Sequence, residues 1–302
     1  MPGFQPAITL SEAIGRIKRN EYLLPAFQRE YVWKPEQIER LFDSLMRGYP
    51  ISSMLFWKLK GEVKNKWKFY EFLDFYREEF HIHNKKFENI GNDCYAILDG
   101  QQRLTSIYLA LCSHYDIRKK YAKKLDNDKN FQICDFYFNL TADKNQPTKH
   151  ADIEYEFLWK DREETKEEII YTDKHNQKWF KCNHLLKIDD IDDFIDENNF
   201  SKEEKKKFRV FNTLINNTND KSKINYYLIE DENPDIATDI FIRINSGATR
   251  LEYSDILFSY AVSNWKKKDA RTEITGLVDY INQTLEFNIN KDLILKIFLF
   301  LY

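Results

Sequence analysis

Glycine is scarce in this chain, 8 of 302 residues, where a share of about 7% is usual. That excludes a glycine-rich linker or fibrous repeat and makes the position of each glycine informative. Cysteine is scarce too. The four present, Cys94, Cys112, Cys134 and Cys182, are far apart and form no C-x-x-C pair, so neither a disulfide frame nor a zinc knuckle is expected. No apolar run reaches the roughly 18 residues of a membrane-spanning helix, and the opening Met1-Pro-Gly-Phe-Gln-Pro6 lacks the basic-then-apolar pattern of a secretory signal. A cytoplasmic protein with no membrane partner is the expectation. Positive charge is not in excess either. A net charge of −3 and a pI near 6.1 exclude a surface coated in basic residues for non-specific DNA binding. Local clusters (Arg118-Lys119-Lys120 with Lys123-Lys124, Lys202 with Lys205-Lys206-Lys207, and Lys266-Lys267-Lys268) read first as solvated faces. What is abundant is apolar and aromatic content, 42% and 16%. At this length it supports a large core in one elaborated domain or two.

Residues Cys94 to Leu98 form an apolar, strand-like run that stops at Asp99-Gly100-Gln101-Gln102-Arg103. Beyond it Leu104, Ile107, Tyr108 and Leu111 recur at the spacing of a helix with one buried face. An Asp-Gly pair followed by a 3.6-residue period predicts strand, tight turn and helix rather than a hairpin. Such a turn leaves helix-start N–H groups unpaired, and Gly100 has no Cβ to keep a ligand away. The result is a candidate phosphate cradle. Arg103 could fork onto phosphate oxygens, and Gln101 and Gln102 could hydrogen-bond a base, a sugar or an attacking water. A bare carboxylate repels phosphate, so Asp99 fits there as a Mg²⁺ ligand, as an acceptor from a ribose hydroxyl, or turned away as a helix cap. The plainer reading is that Asp99 caps, Gly100 turns, and Gln101 to Arg103 are a solvated first turn.

Elsewhere, Thr9-Leu-Ser-Glu12 is a capping box that predicts a helix to about Arg19. Tyr22 to Pro25 reads as extended. Pro35 opens a second helix with Ile38, Leu41, Phe42 and Leu45 buried, stopped by Gly48 and Pro50. Ser53 to Leu59 predicts a buried strand. In the segment 61–93, Phe69, Phe72, Tyr76 and Phe80 at helical spacing predict an inserted helix, and His81 and His83 read as surface histidines. Residues 113–222 read as a charged insertion with strands at Gln132–Leu140 and Ile153–Trp159 and acidic helices over Ile188–Asn212. Asp189, Asp190, Asp192, Asp193 and Asp196 lack the glycine and terminal Glu of a calcium loop and read as a solvated face. Ile224–Ile229 predicts a strand. Asn233 caps a helix opened by Pro234, with Ile236, Ile240 and Ile244 inward, ending at Asn245-Ser-Gly247. A further helix is expected from Ser254. The run Leu293–Tyr302 reads as a truncated helix whose partner surface lies downstream or in another subunit.

Tyr95-Ala-Ile-Leu-Asp-Gly-Gln-Gln-Arg-Leu-Thr-Ser-Ile107 resembles the signature of the N-terminal domain of GmrSD-type restriction proteins. Leu24-Pro-Ala-Phe-Gln-Arg-Glu-Tyr-Val-Trp33 is similar to that family's Pro-x-x-Gln-Arg-x-x-x-Trp block, and Phe241-Ile-Arg-Ile-Asn-Ser-Gly247 to its Phe-x-Arg-x-Asn-x-Gly block. The three blocks stand in the family's order. With the elements above, the resemblance implies an α+β chain. A ParB/sulfiredoxin-like nucleotide-binding core would occupy 1–112 and the charged α+β insertion 113–222, while a strand and helical segment over 223–302 would complete the site. It further implies NTP hydrolysis with Mg²⁺, with Asp99, Gln101, Gln102 and Arg103 catalytic and Asp99 also the metal ligand. Gln28, Arg29, Gly100, Arg243 and Asn245 would bind the nucleotide. Arg29 lies in an extended stretch between Pro25 and Pro35, where it needs an anion from elsewhere, a ligand or else Glu30 or Glu36. The implied role is sensing modified DNA in a type IV-like restriction or phage-defence system, coupled to an HNH nuclease domain or subunit. The nuclease's His-rich motif has no match among the six histidines. A rival of another class is a non-hydrolytic nucleotide- or DNA-binding switch, and a third reading is phosphodiester cleavage by Asp99 and Arg103.

Overall fold

The computed structural model describes residues 2–26, 28, 30–61, 63–78, 83–88, 90, 94–123, 127–141, 152–216, 223–245, 258, 265, 268–285, 287 and 289–301. After strand β1 (Gly3–Phe4), Thr9 accepts the N–H of Glu12 at 2.9 Å and opens helix α1 (Leu10–Lys18), as its capping sequence predicts. Strand β2 (Tyr22–Pro25) follows. Pro35, with φ already set for a helix, starts α2 (Pro35–Met46), whose predicted stripe is buried. Strand β3 (Met54–Lys58) is buried on both faces.

The helix expected between 61 and 93 is not there. The segment forms a four-residue helix α3 (Val63–Lys66) and short strands β4 (Phe69–Tyr70), β5 (Tyr76–Arg77) and β6 (Lys86–Phe87). Phe69, Phe72 and Tyr76 are buried, but their helical spacing is incidental. Aromatic residues also favour pleated backbone, and burial of successive Phe69 and Tyr70 marks a strand covered on both sides. Phe80 lies outside the described residues.

Strand β7 (Tyr95–Asp99) and helix α4 (Gln101–Cys112) form the strand-turn-helix unit of the glycine motif. Next come β8 (Tyr115–Arg118), β9 (Phe131–Asn139), β10 (Phe157–Asp161), α5 (Arg162–Thr165), β11 (Ile170–Thr172) and β12 (Lys178–Lys181). Helices α6 (Ile191–Glu197) and α7 (Lys202–Asn216), strand β13 (Tyr226–Ile229), and helices α8 (Pro234–Asn245), α9 (Ala270–Thr284) and α10 (Lys291–Leu301) complete the described chain. The expected strand at Ile153–Trp159 thus begins later, at Phe157. The helix expected from Ser254 starts outside the described residues.

Two mixed sheets organise these elements, and the chain is α+β. The first has the order β1-β13-β3-β7-β2-β4-β6, with β13 parallel to β3 and β7 parallel to β2. In the second, β11-β12-β9-β8-β5 is joined by β10 on β9. Alternation along the strands splits the first sheet's faces. Met54, Phe56 and Ile97 join α1, α2, α4 and the second sheet's Phe136, Phe138 and Phe180 in one core. Leu55, Trp57, Ala96 and Leu98 face the other way, towards Ala237 and Phe241 of α8. That packing takes in Ile240, as expected, and corrects the rest of the expected inward face of α8. Ile236 and Ile244 are exposed, because the neighbouring row, with a small Ala237 permitting close approach and a large Phe241 filling space, seats the helix one residue round. Among the described residues, no helix is long and apolar enough to cross a membrane.

Candidate functional site

Asp99 ends β7, and Gly100 turns the chain with φ +96° into α4. The Gly100 carbonyl accepts from the Leu104 N–H at 2.9 Å, and among the described residues no side-chain cap is seen at this helix start. Its first N–H groups therefore remain for water or a ligand. A Cβ at position 100 would lie 2.6 Å from Met54 Cγ, so a strand residue packs against the turn where only glycine fits. Arg103 folds back over this turn. Its Nη2 donates to Asp99 Oδ2 at 2.9 Å and to the Ser53 carbonyl at 3.3 Å, and its Nη1 to the Ile51 carbonyl. The guanidinium thereby holds the approach to β3 against the head of α4.

The first motif block docks on the same unit through two amides. Pairing between β2 and β7 ends at Leu23 and Ala96. Just beyond, Gln28 Nε2 donates to the carbonyls of Ile97 at 3.0 Å and Leu98 at 2.6 Å, acting as a substitute strand partner. Gln102 reciprocates from α4. Its Oε1 accepts from Val32 N–H and its Nε2 donates to Glu30 O, both at 3.0 Å. Tyr31 reaches Ser106 with its hydroxyl, 2.7 Å away. Gln101 is 4% exposed, and its Oε1 finds no hydrogen-bond partner among the described residues.

Of the remaining predicted site residues, Arg29 lies outside the described residues, as does Gly247 of the third block. Arg243 is exposed near the end of α8, its Nε 2.9 Å from Asp239, and Asn245 is that helix's last residue. The acidic run is structural. Asp190 caps α6, while Asp192 pairs with Arg209 and Asp196 with Lys205. His83 is exposed, as a surface histidine should be, but its ring also stands between Asp279 of α9 and Glu30 of the first block. His81 lies outside the described residues. The sequence reading also missed Arg271 of α9. It is buried, lies over the Tyr70 ring, and donates to the Ala26 carbonyl at 3.4 Å and to Asn84 Oδ1 at 3.5 Å. Burial pushes its pKa below the ordinary arginine value. No spacing rule points from Arg271 or Asp279 to a loop some 250 residues earlier in the chain.

A mixed sheet whose central strand ends in a left-handed glycine at a helix start, with a second motif loop pinned to that helix, defines an α+β module built around one turn. A family model for the GmrSD restriction endonuclease N-terminal domain matches residues 10–262, most of the chain. The chain belongs to that family, and so to a component of a restriction or phage-defence system. No curated protein matches it. All three motif blocks fall inside the matched span, and α9 falls beyond it.

Proposed function

We propose that this chain is the nucleotide-binding and NTP-hydrolysing sensor module of a modification-dependent restriction system, built on a ParB/sulfiredoxin-like core. The observation that carries the reading is the Gly100 turn. A left-handed residue joins a buried strand to an uncapped helix start, the arrangement that favours phosphate binding. Asp99 and Arg103 hold each other at 2.9 Å with the carboxylate one-third exposed. A phosphate oxygen replaces Asp99 as the partner of Arg103 and frees the carboxylate. Among the described residues no group of three or more His, Cys, Asp or Glu side chains could hold a metal ion. A Mg²⁺ that arrives with nucleotide phosphates needs only one or two carboxylates, and Asp99 fits that need. Bound there, the ion would neutralise charge on the phosphates. Gln101 holds the attacking water, while Gln28 and Gln102 position the first block. Arg29, Arg243 and Asn245 supply further nucleotide contacts, and modified DNA and an HNH nuclease are the partners.

One observation favours a second reading, a switch that binds nucleotide without turnover. Arg103 is already tethered to two carbonyls and a carboxylate, which leaves it less free to follow a moving phosphoryl group. Phosphate release from ATP or GTP with Mg²⁺ separates the two. Hydrolysis that disappears in Asp99→Asn, while nucleotide still raises the melting temperature, supports the enzyme. Nucleotide binding with no release in the parent supports the switch. Absence of binding by any NTP overturns both.

A further inference from the structure

His83 Nε2 lies 2.7 Å from Asp279 Oδ2, and Nδ1 lies 3.3 Å from Glu30 Oε1. A neutral imidazole carries no charge, whereas the imidazolium is attracted to both carboxylates, hydrogen-bonded to Asp279 and at ion-pair distance from Glu30. The pairing pushes the His83 pKa up to about 9, through Asp279 first and Glu30 second. Glu30 is fixed by its main chain as well, since its carbonyl accepts from Gln102 and Val32 N–H, two residues on, donates to the same amide. Asp279 comes from α9, and so does Arg271, which reaches the Ala26 carbonyl at the start of the loop. A helix beyond the family-matched span therefore also grips the first motif block.

We infer that His83 is a positioning residue: as an imidazolium it fastens Glu30 to α9 and so keeps Gln28 docked on β7 and Glu30–Val32 docked on α4. Among the described residues, the charged groups facing His83 are Glu30 from the loop and Asp279 from α9. Glu30 is faced in turn by Arg271 of α9 and Tyr76 of β5. A guanidinium is not deprotonated in proteins, and Tyr76, raised to about 12, stays neutral in mildly alkaline solution, so His83 is the member of this cluster that changes charge between about pH 8 and 10. The effect on nucleotide binding rests on the function proposed above, but the docking of the loop does not.

Amide hydrogen exchange at Val32, corrected for its intrinsic rate, reads the docking directly in the full chain. His83→Gln and Asp279→Asn should each speed that exchange about tenfold, as expected for loss of a charge-assisted bond. Exchange at Leu104, within α4, should stay unchanged. Parent protein should loosen at Val32 in the same way as pH rises from about 8 to 10, and His83→Gln should not respond. Where ATP binds the parent, its affinity should fall by the same factor in both variants. Unchanged Val32 protection in the two variants, or parent protection indifferent to pH, overturns the inference. Should His83→Gln fail to fold, Asp279→Asn decides alone. A parent that binds no ATP overturns the nucleotide reading, and the Val32 measurement still decides this one.

Discussion

A methyl group at position 100 faces two separate costs. The backbone there has φ +96°, and the new carbon would sit 2.6 Å from Met54 Cγ and 2.8 Å from its Sδ. The left-handed conformation costs about 1–2 kcal/mol for an L side chain, and displacing a flexible methionine adds less. Gly100→Ala should therefore lose about 2 kcal/mol in urea unfolding. In a Met54→Ala background only the backbone part should remain, and an equal loss in both backgrounds would show that Met54 does not crowd the turn. Gln102 makes a different kind of prediction. Gln102→Leu strips the partners from Val32 N–H and Glu30 O, a loss of about 1–3 kcal/mol for each group left unpaired where it is buried. Gln102→Glu keeps the acceptor for Val32 and loses the donor to Glu30, so its stability should fall between parent and Leu variant. A Leu variant as stable as the parent would mean that water replaces both bonds. Sequence spacing places an amide at this helix start, but it carries no information on the partner. That partner is a loop about 70 residues earlier, reached only through the parallel pairing of β2 with β7.

Elements whose signal is local were legible, and those defined by their neighbours were not. The capped helix α1, the proline-opened α2 and the strand-turn-helix unit at Gly100 follow from residues within a turn of one another. Strands of two residues such as β4, β5 and β6 carry no period of their own, since their pairing with β2, β8 and β4 alone defines them. The second sheet shows how such pairings are secured. Asp135, fully buried on β9, accepts from Arg162 Nε and Nη2 of α5 at 2.9 Å each, and Lys181 Nζ of β12 lies 2.7 Å away. One carboxylate thus joins three elements. Removing it in Asp135→Ala leaves two cations without their main counter-ion, the largely buried Lys181 more severely than Arg162. A loss on the order of 3–5 kcal/mol is expected for a broken buried pair. Chemical denaturation checks this, and a loss below 1 kcal/mol would show that both cations escape to solvent.

At the scale of the whole molecule, the C-terminal helices are part of the core rather than an appendage. Ala270, Ile274 and Val278 of α9 and Ile294 and Leu295 of α10 are buried with residues of the first sheet and α4. This docking was not legible, because amphipathic helices announce a buried face without naming the surface that covers it. It has a consequence for stability against pH. His83 titrates at about 9 in the folded chain against an ordinary 6.5. Its contribution is therefore complete below about pH 6.5 and is lost as pH rises through 9. Buried Cys134 and Cys182 bring a loss of the same direction at higher pH. Their thiols are raised by burial above the ordinary 9.0, so the unfolded chain releases those protons first. The two sources separate in a difference measurement. Denaturation free energy of the parent should fall between pH 7 and 9, and His83→Gln, which keeps every cysteine, should be flat over that window and then decline in parallel with the parent above it. Equal slopes in both proteins below pH 9 would detach His83 from the fold.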